Sequence, residues 1–323
     1  MIKRITLLFT VCFLFSCGEI TSTKSLKLAH GLDVTHPVHQ GMEYMAERLA
    51  EKSGGQLTME IYPSQQLGTE RQALELLQIG SLAMTKVSAA VLENFAPNTK
   101  VLSLPYIFRD RDHAYRVQDS EIGKKLLQQS EKYWLRGLTY FDAGQRSFYT
   151  KERMVKTPSD LDGMKIRVME SATAMNLVRS LGGAPTPISW GELYTALQQG
   201  IVDGAENNPP SFYTSRHYEI CKYYSLNEHT AVPDILVIGT VAWNNLSPQE
   251  QEWLQAAADE ATTFQRELWQ ESEAEALAAV QEAGVEVIRP DKSKFFEKTK
   301  GILEAYQSEE EVYGLIQAIQ AVK

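Results

Sequence analysis

The sequence predicts an α/β protein of two similar lobes, each a mixed or parallel sheet flanked by helices, with one long helical stretch that either breaks or spans both lobes. Three observations carry that reading. Period-two and helix-period hydrophobic patterns take turns along most of the chain, the order expected of a parallel sheet with helices on its faces. The order of elements then repeats. LQIG at Leu77–Gly80 and LQQG at Leu197–Gly200 each end a helix, and each helix follows a Gly-Gly, a strand-like run and a proline. Finally, the helical pattern from Pro248 to about Ala283 would reach roughly 54 Å at 1.5 Å per residue, longer than one small domain is wide. A chain of 323 residues suits two domains, although single α/β domains of this size exist.

Each element has a local cause. Ser25 to His30 alternates apolar and polar residues and reads as a first strand, closed by His36 and Pro37. Met42, Met45, Ala46 and Leu49 recur at helical spacing until Gly54 and Gly55 stop them. Leu57, Met59 and Ile61 alternate into a second strand ending at Pro63. A polar turn leads to a helix capped by Thr69, with Leu74, Leu77 and Leu82 on its apolar side. After a looser region, 112–135 reads as one helix and Gly137 to Phe141 as a strand. Thr157 to Gly163 is a turn. The stretch from Met164 to Asn208 then has strand, helix, strand and helix character, closing in a turn at 203–208. Pro209 and Pro210 prevent simple helix continuation. Val232 to Val241 is an apolar strand interrupted early by Pro233 and Asp234. The long helix has Ser247 as cap and Gly284 as stop, Val285 to Ile288 is a last strand, and an amphipathic helical tail begins at Asp291.

At 43% hydrophobic and 23% charged residues the composition is that of a globular protein. The net charge of −9 argues against nucleic acid or an anionic membrane surface as the main partner, though a local arginine pair still suits an anionic ligand. MIKRITLLFTVCFLFSC has a basic start, an apolar run too short for a stable membrane anchor, and an end resembling a bacterial lipobox. The expectation is a lipoprotein signal over 1–16, lipid on Cys17 and a tether over 17–24, against a plain signal peptide cut elsewhere. Acyl chains at about 0.8 kcal/mol per buried methylene would hold a globular domain at a membrane. Loss of Cys12 and lipidation of Cys17 leave Cys221 alone, so no internal disulfide is expected.

Ser189 and Glu192 match a capping box, which marks a helix start and a local preference for anions. Trp190 beside it is either a partly buried core residue or an aromatic face for a sugar ring. Arg167, between Ile166 and Val168 in an apolar strand, must lie on an exposed face, near a strand end, or paired, because burying it alone is costly. Its planar fork suits a carboxylate. Arg146 follows a glycine after a strand and alone reads as a loop charge. The run from Asp203 to Asn208 offers amides for carboxylate or hydroxyl oxygens, or ordinary turn chemistry. Glu70 either accepts from ligand hydroxyls or favours a helix start. His36 and His39 are three apart, but no cysteine or carboxylate framework completes a zinc site. The chain has no nucleophile elbow, phosphate loop or dinucleotide glycine pattern, so neither catalytic residues, metal nor cofactor are expected.

Together these residues resemble the solute-binding proteins of tripartite ATP-independent periplasmic (TRAP) transporters, the DctP family. MKIRVMES, PTPISWGELYTALQQGIVDGAENNP, YPSQQLGTERQALELLQIGSL, LPYIFRDRDHAYRV and YTSRHYEICKYYSL carry the likeness over about residues 25 to 310. It implies a periplasmic binding protein fold whose cleft closes on an organic acid and docks on membrane permease subunits. Lobe 1 would be 25–144 with about 233–272, and lobe 2 would be 145–232 with about 273–323. By the same likeness Arg167 pairs with the ligand carboxylate, supported by Arg146 and Asn207, while Trp190 covers the ring. Glu70, Lys86, Ser88, Asn208, Asp234 and His36 are further candidate contacts. Sialic-acid binders of the family carry a glutamate where Ser88 aligns and an asparagine where Gly31 aligns, which argues against sialic acid. AENNPPSF with Trp190 is similar to members that bind glucuronate or galacturonate, with a C4-dicarboxylate or keto acid as competitor and a sensory role as alternative. An exported enzyme would need an acid/base pair that the sequence does not offer.

Overall fold

The computed structural model describes residues 23–323, so the expected leader and Cys17 lie outside the described residues. Strand β1 (Lys24–Ala29) leads through the helix Pro37–Lys52 to β2 (Leu57–Tyr62), and the helix Glu70–Gln78 leads to β3 (Met84–Ser88). After two helices, Arg111–Asp119 and Glu121–Gln129, comes β4 (Leu135–Phe141). The chain then builds β5 (Arg146–Thr150), β6 (Lys165–Val168), β7 (Ala184–Pro187), β8 (Gly204–Asn207) and β9 (Tyr223–Thr230). It returns for β10 (Asp234–Gly239) and ends with β11 (Glu286–Ile288) after the helix Pro248–Glu282.

These strands form two sheets, β2-β1-β3-β10-β4 and β11-β9-β5-β8-β6-β7. Three parallel strands in each, β2-β1-β3 and β7-β6-β8, continue into an antiparallel neighbour, β10 or β5. The repeat seen in the sequence is therefore a repeat of topology. Gly80 and Gly200 both adopt positive φ, +75° and +72°. In each turn the next amide bonds back to a helical carbonyl, Ser81 N to Leu76 O and Ile201 N to Ala196 O, at 2.9 Å. This is the left-handed helix ending that glycine allows without strain.

The 35-residue helix Pro248–Glu282 joins the lobes. Ser247 and Glu250 close a reciprocal capping box at its start, and Gly284 at φ +84° turns the chain after its end. Leu254, Ala257, Ala258, Ala261 and Trp269 pack into the first lobe's core, and Val280 packs into the second's. Among the described residues no helix is long and apolar enough to cross a membrane.

The structure corrects several expectations. The stretch 112–135 is two helices, a 3-10 turn over Ser130–Tyr133 and the start of a strand. Ser120 ends one helix and caps the next, and a Cβ on Gly123 would lie 2.0 Å from Gln118 O, so only glycine fits this corner. The expected turn at 203–208 is mostly β8, fully buried in the middle of its sheet. Ser189 Oγ bonds to the Glu192 carboxylate at 2.6 Å but caps no backbone amide, because a 3-10 turn over Trp190–Glu192 precedes the helix Leu193–Gln198. The tail also departs from the expected division. Val312, Leu315, Ile316 and Ile319 of the helix Glu310–Ala321 pack with Val101, Leu102 and Val117 of the first lobe, although 273–323 was expected in the second. His113 Nε2 and Arg109 hold its C-terminal carbonyls there.

Candidate ligand-binding cleft

Parallel sheets present ligands at the carboxyl ends of their strands. The ends of β3, β6 and β8 meet one space between the lobes, partly open to solvent and lined by both. Nine of the ten predicted contacts line it: Glu70, Lys86, Ser88, Arg146, Arg167, Trp190, Asn207, Asn208 and Asp234. Gln65 of the first lobe lies against Gly191 of the second at the edge of the space. A Cβ on Gly191 would come within 2.3 Å of Gln65 Oε1.

Alternation along β6 sends Ile166 and Val168 into the core with Leu177, Val178 and Phe295, and so turns Arg167 the other way. Arg167 is buried, and its Nε donates to Ile188 O at 2.8 Å. Neither terminal nitrogen has a hydrogen-bond partner among the described residues, and Nη1 is fully shielded. The guanidinium lies 5.7 Å from the centre of the Trp190 ring. Burial without a carboxylate, with Arg146 nearby, lowers its pKa to about 10.

Arg146 has the opposite surroundings. Its Nε and Nη2 form a two-pronged pair with the Glu206 carboxylate at 2.5 and 2.8 Å, Nη2 also reaches Glu206 O, and Nη1 donates to Asn207 Oδ1 at 2.8 Å. Burial opposes its charge, yet Glu206 outweighs burial and raises its pKa. Glu206 in turn, despite burial, is held down to about 2 by Arg146 and His229. Asn207 Oδ1 accepts from Arg146, Asn208 N and Asn208 Nδ2, all within 3.0 Å. Three donors fix the amide orientation, so the Asn207 NH₂ group is the part left for the cavity.

At the first lobe's wall Lys86 Nζ donates to Glu70 Oε1 at 2.7 Å and Asp234 Oδ1 at 3.3 Å, with Asp234 opposite Ser88 in the β3–β10 register. Burial works against the ammonium, but Asp234 and Glu70 together raise its pKa. One cation shared by two carboxyl groups leaves this wall with a surplus of acceptors.

Two predicted contacts are reassigned. His36 does not line the cavity. It caps the helix Pro37–Lys52, with Nδ1 accepting from Val38 N at 3.2 Å, and its Nε2–H is therefore left to donate to Ser211 Oγ across the lobes at 3.0 Å. Asn208 does line it, but its Oδ1 caps the helix Pro209–Thr214 and its NH₂ is spent on Ala143 O and Asn207 Oδ1. Glu206 escaped the sequence reading, although its place beside Asn207 in a strand, rather than a turn, was the available signal. Met169, Glu170 and Ser211 also line the space without any signal in the sequence.

The family model for DctP, bacterial extracellular solute-binding protein family 7, matches residues 28–310. The chain belongs to this family. A solute-binding protein of Chromohalobacter salexigens is 34% identical over 288 residues, 88% of this chain and 86% of that protein. A TRAP periplasmic solute-binding protein from Bradyrhizobium sp. BTAi1, solved with α/β-D-galacturonate, superposes with a TM-score of 0.90 at 38% identity, covering 92% of this chain and 99% of its own. One from Roseobacter denitrificans with bound β-D-glucuronate gives 0.90 at 34% identity, covering 93% and 100%. The protein is thus a TRAP-type extracytoplasmic solute-binding protein, and its two-lobed fold is the family's.

Proposed function

We propose that this binding protein captures a hexuronate, glucuronate or galacturonate, in the interlobe cavity and delivers it to a membrane permease without covalent change. The observation that carries the proposal is Arg167, a buried guanidinium lining the cavity whose terminal nitrogens have no protein acceptor among the described residues. A buried unpaired cation is costly, so a ligand carboxylate bound bidentately supplies the missing partner. The Asn207 NH₂ adds a donor, and Arg146 orients Asn207 while remaining committed to Glu206. Trp190 offers its face to the ring.

The opposite wall argues for a monocarboxylate. Glu70 and Asp234, with Lys86 already between them, suit hydroxyl donors and would repel a second carboxylate. A C4-dicarboxylate fits this polarity poorly. The uronates in the related structures have the required form, one carboxylate and a hydroxyl-rich ring. Export with lipid on Cys17 would keep the domain at the membrane beside the permease. Calorimetric titration with galacturonate and glucuronate tests the reading. Binding is expected for wild type, and Arg167→Ala should weaken it by on the order of 3 kcal/mol, more than a hundredfold. Equal affinity in the variant would remove Arg167 from the site.

A further inference from the structure

Glu93 follows the short helix Ala89–Leu92 of the first lobe, and its side chain ends in the second. Its Oε1 accepts from Ser171 Oγ at 2.8 Å and from Thr173 N at 3.1 Å. Its neighbour Asn94 donates from Nδ2 to Glu170 O at 2.6 Å. Ser171 is the cap of the helix Ala172–Ser180, and its Oγ also accepts from Ala174 N at 3.0 Å. One amide of this helix start is therefore satisfied by its own cap, and another only by a residue of the opposite lobe.

The gripped turn is the direct continuation of β6. Only Val168 separates Arg167 from Met169, and Met169 and Glu170 both line the cavity. Met169 packs with Val91 and Val232 of the first lobe's cluster. We infer that Glu93 and Asn94 are positioning residues for ligand binding, fastening the first lobe to the turn that follows Arg167, so that closure and completion of the anion site are one event.

The energetics suit a reversible fastening. Glu93 is buried here, and its Oε2 has no partner among the described residues. Desolvating that oxygen offsets much of the gain from two hydrogen bonds, whereas water satisfies both oxygens once the lobes part. Such a contact adds lifetime to a closed state without locking the empty protein shut. Burial of this kind also separates it from the rim ion pairs of the surface, such as Lys124–Glu121, which contribute little.

The probe rests on the proposed uronate site, and the test keeps the two ideas apart. Association and dissociation rates for galacturonate would be measured by stopped flow for the full chain, Glu93→Ala and Glu93→Gln, with the melting temperature of each ligand-free protein beside them. The expected result is dissociation about tenfold faster in Glu93→Ala, with association changed less than about threefold. Glu93→Gln, which keeps the Oε1 acceptor, should restore most of the wild-type lifetime. Unchanged dissociation in Glu93→Ala, or failure of Glu93→Gln to restore it, overturns the inference, even if the melting temperature falls. If wild type binds no uronate, the function proposed above fails instead. The fastening is then read from spin labels at Glu75→Cys and Lys165→Cys, where Glu93→Ala must reduce the closed fraction, and an unchanged fraction overturns it.

Discussion

The two walls of the cleft have the same frame and opposite surplus charge. Both are built from three parallel strands and an antiparallel neighbour, and both approach the ligand space from strand ends. Apart from Arg71, which is exposed and paired with Glu75, and the half-buried Glu170, the second lobe brings Arg146, Arg167 and Glu206, and the first brings Lys86 between Glu70 and Asp234. Arg146 is neutralised by Glu206, so the second wall's surplus resides on Arg167. The first wall's surplus is an acceptor shared around Lys86. Topology sets where a ligand lies, and the unpaired charge sets which way it points.

The contrast between Arg146 and Arg167 yields the largest expected effects. Glu206→Ala leaves Arg146 buried without its carboxylate, which should cost about 3–5 kcal/mol in urea unfolding. A loss below 1 kcal/mol would mean that Arg146 is not dependent on its partner. Arg167→Leu removes a buried cation that lacks a carboxylate partner among the described residues. The ligand-free protein should then be as stable as wild type or more so, while uronate binding disappears, because the arginine serves the ligand and not the fold. Substantial destabilisation of the empty protein by Arg167→Leu would reverse that assignment.

Three buried histidines near the cleft predict a pH effect. Burial, with Lys86 beside it, lowers His30 to about 2. Burial and Lys86 outweigh Asp33 to lower His36 to about 3, and burial with Arg167 lowers His217 to about 3. Their unfolded value is 6.5, so below it the unfolded chain binds protons that the folded chain does not. Stability contributed by the neutral rings is present above pH 6.5 and is lost as pH falls toward 3, with a slope of up to about 1.4 kcal/mol per pH unit for each histidine. Melting temperature should fall steadily from pH 6.5 to 5, and a flat profile would contradict the lowered values.

The smallest effects compare the twin helix endings. Gly80→Ala and Gly200→Ala each place a side chain at positive φ, at a cost of about 1 kcal/mol. The first should cost more, because its Cβ meets Val241 Cγ1 at 2.9 Å, while the second meets only Lys151 Nζ at 3.6 Å. Equal losses would show that backbone strain alone decides.

What was legible in the sequence was local or repeated. The Ser247 cap, the Thr69 cap and the glycine endings depend on neighbours within a few residues, so the long helix and its bounds could be read directly. The cavity wall was readable where a family motif carried it, as at Arg167 and Asn207. Pairings across sheets were not. Glu206 looked like turn chemistry because its partner lies 60 residues away on β5. His36 looked available because Ser211 lies 175 residues on. The tail's return to the first lobe depends on apolar packing with Val101 and Val117, which an amphipathic pattern cannot specify.

The central claim is that the cleft is polar along its length, cationic at Arg167 and acceptor-rich at Glu70 and Asp234. Calorimetric titration of one protein sample with galacturonate, galactose and galactarate tests it most directly, since these sugars differ in having one, no or two carboxylates. The account predicts that galacturonate binds and that both others bind at least a hundredfold more weakly, a difference of about 2.7 kcal/mol. Galactarate binding as tightly as galacturonate would contradict it.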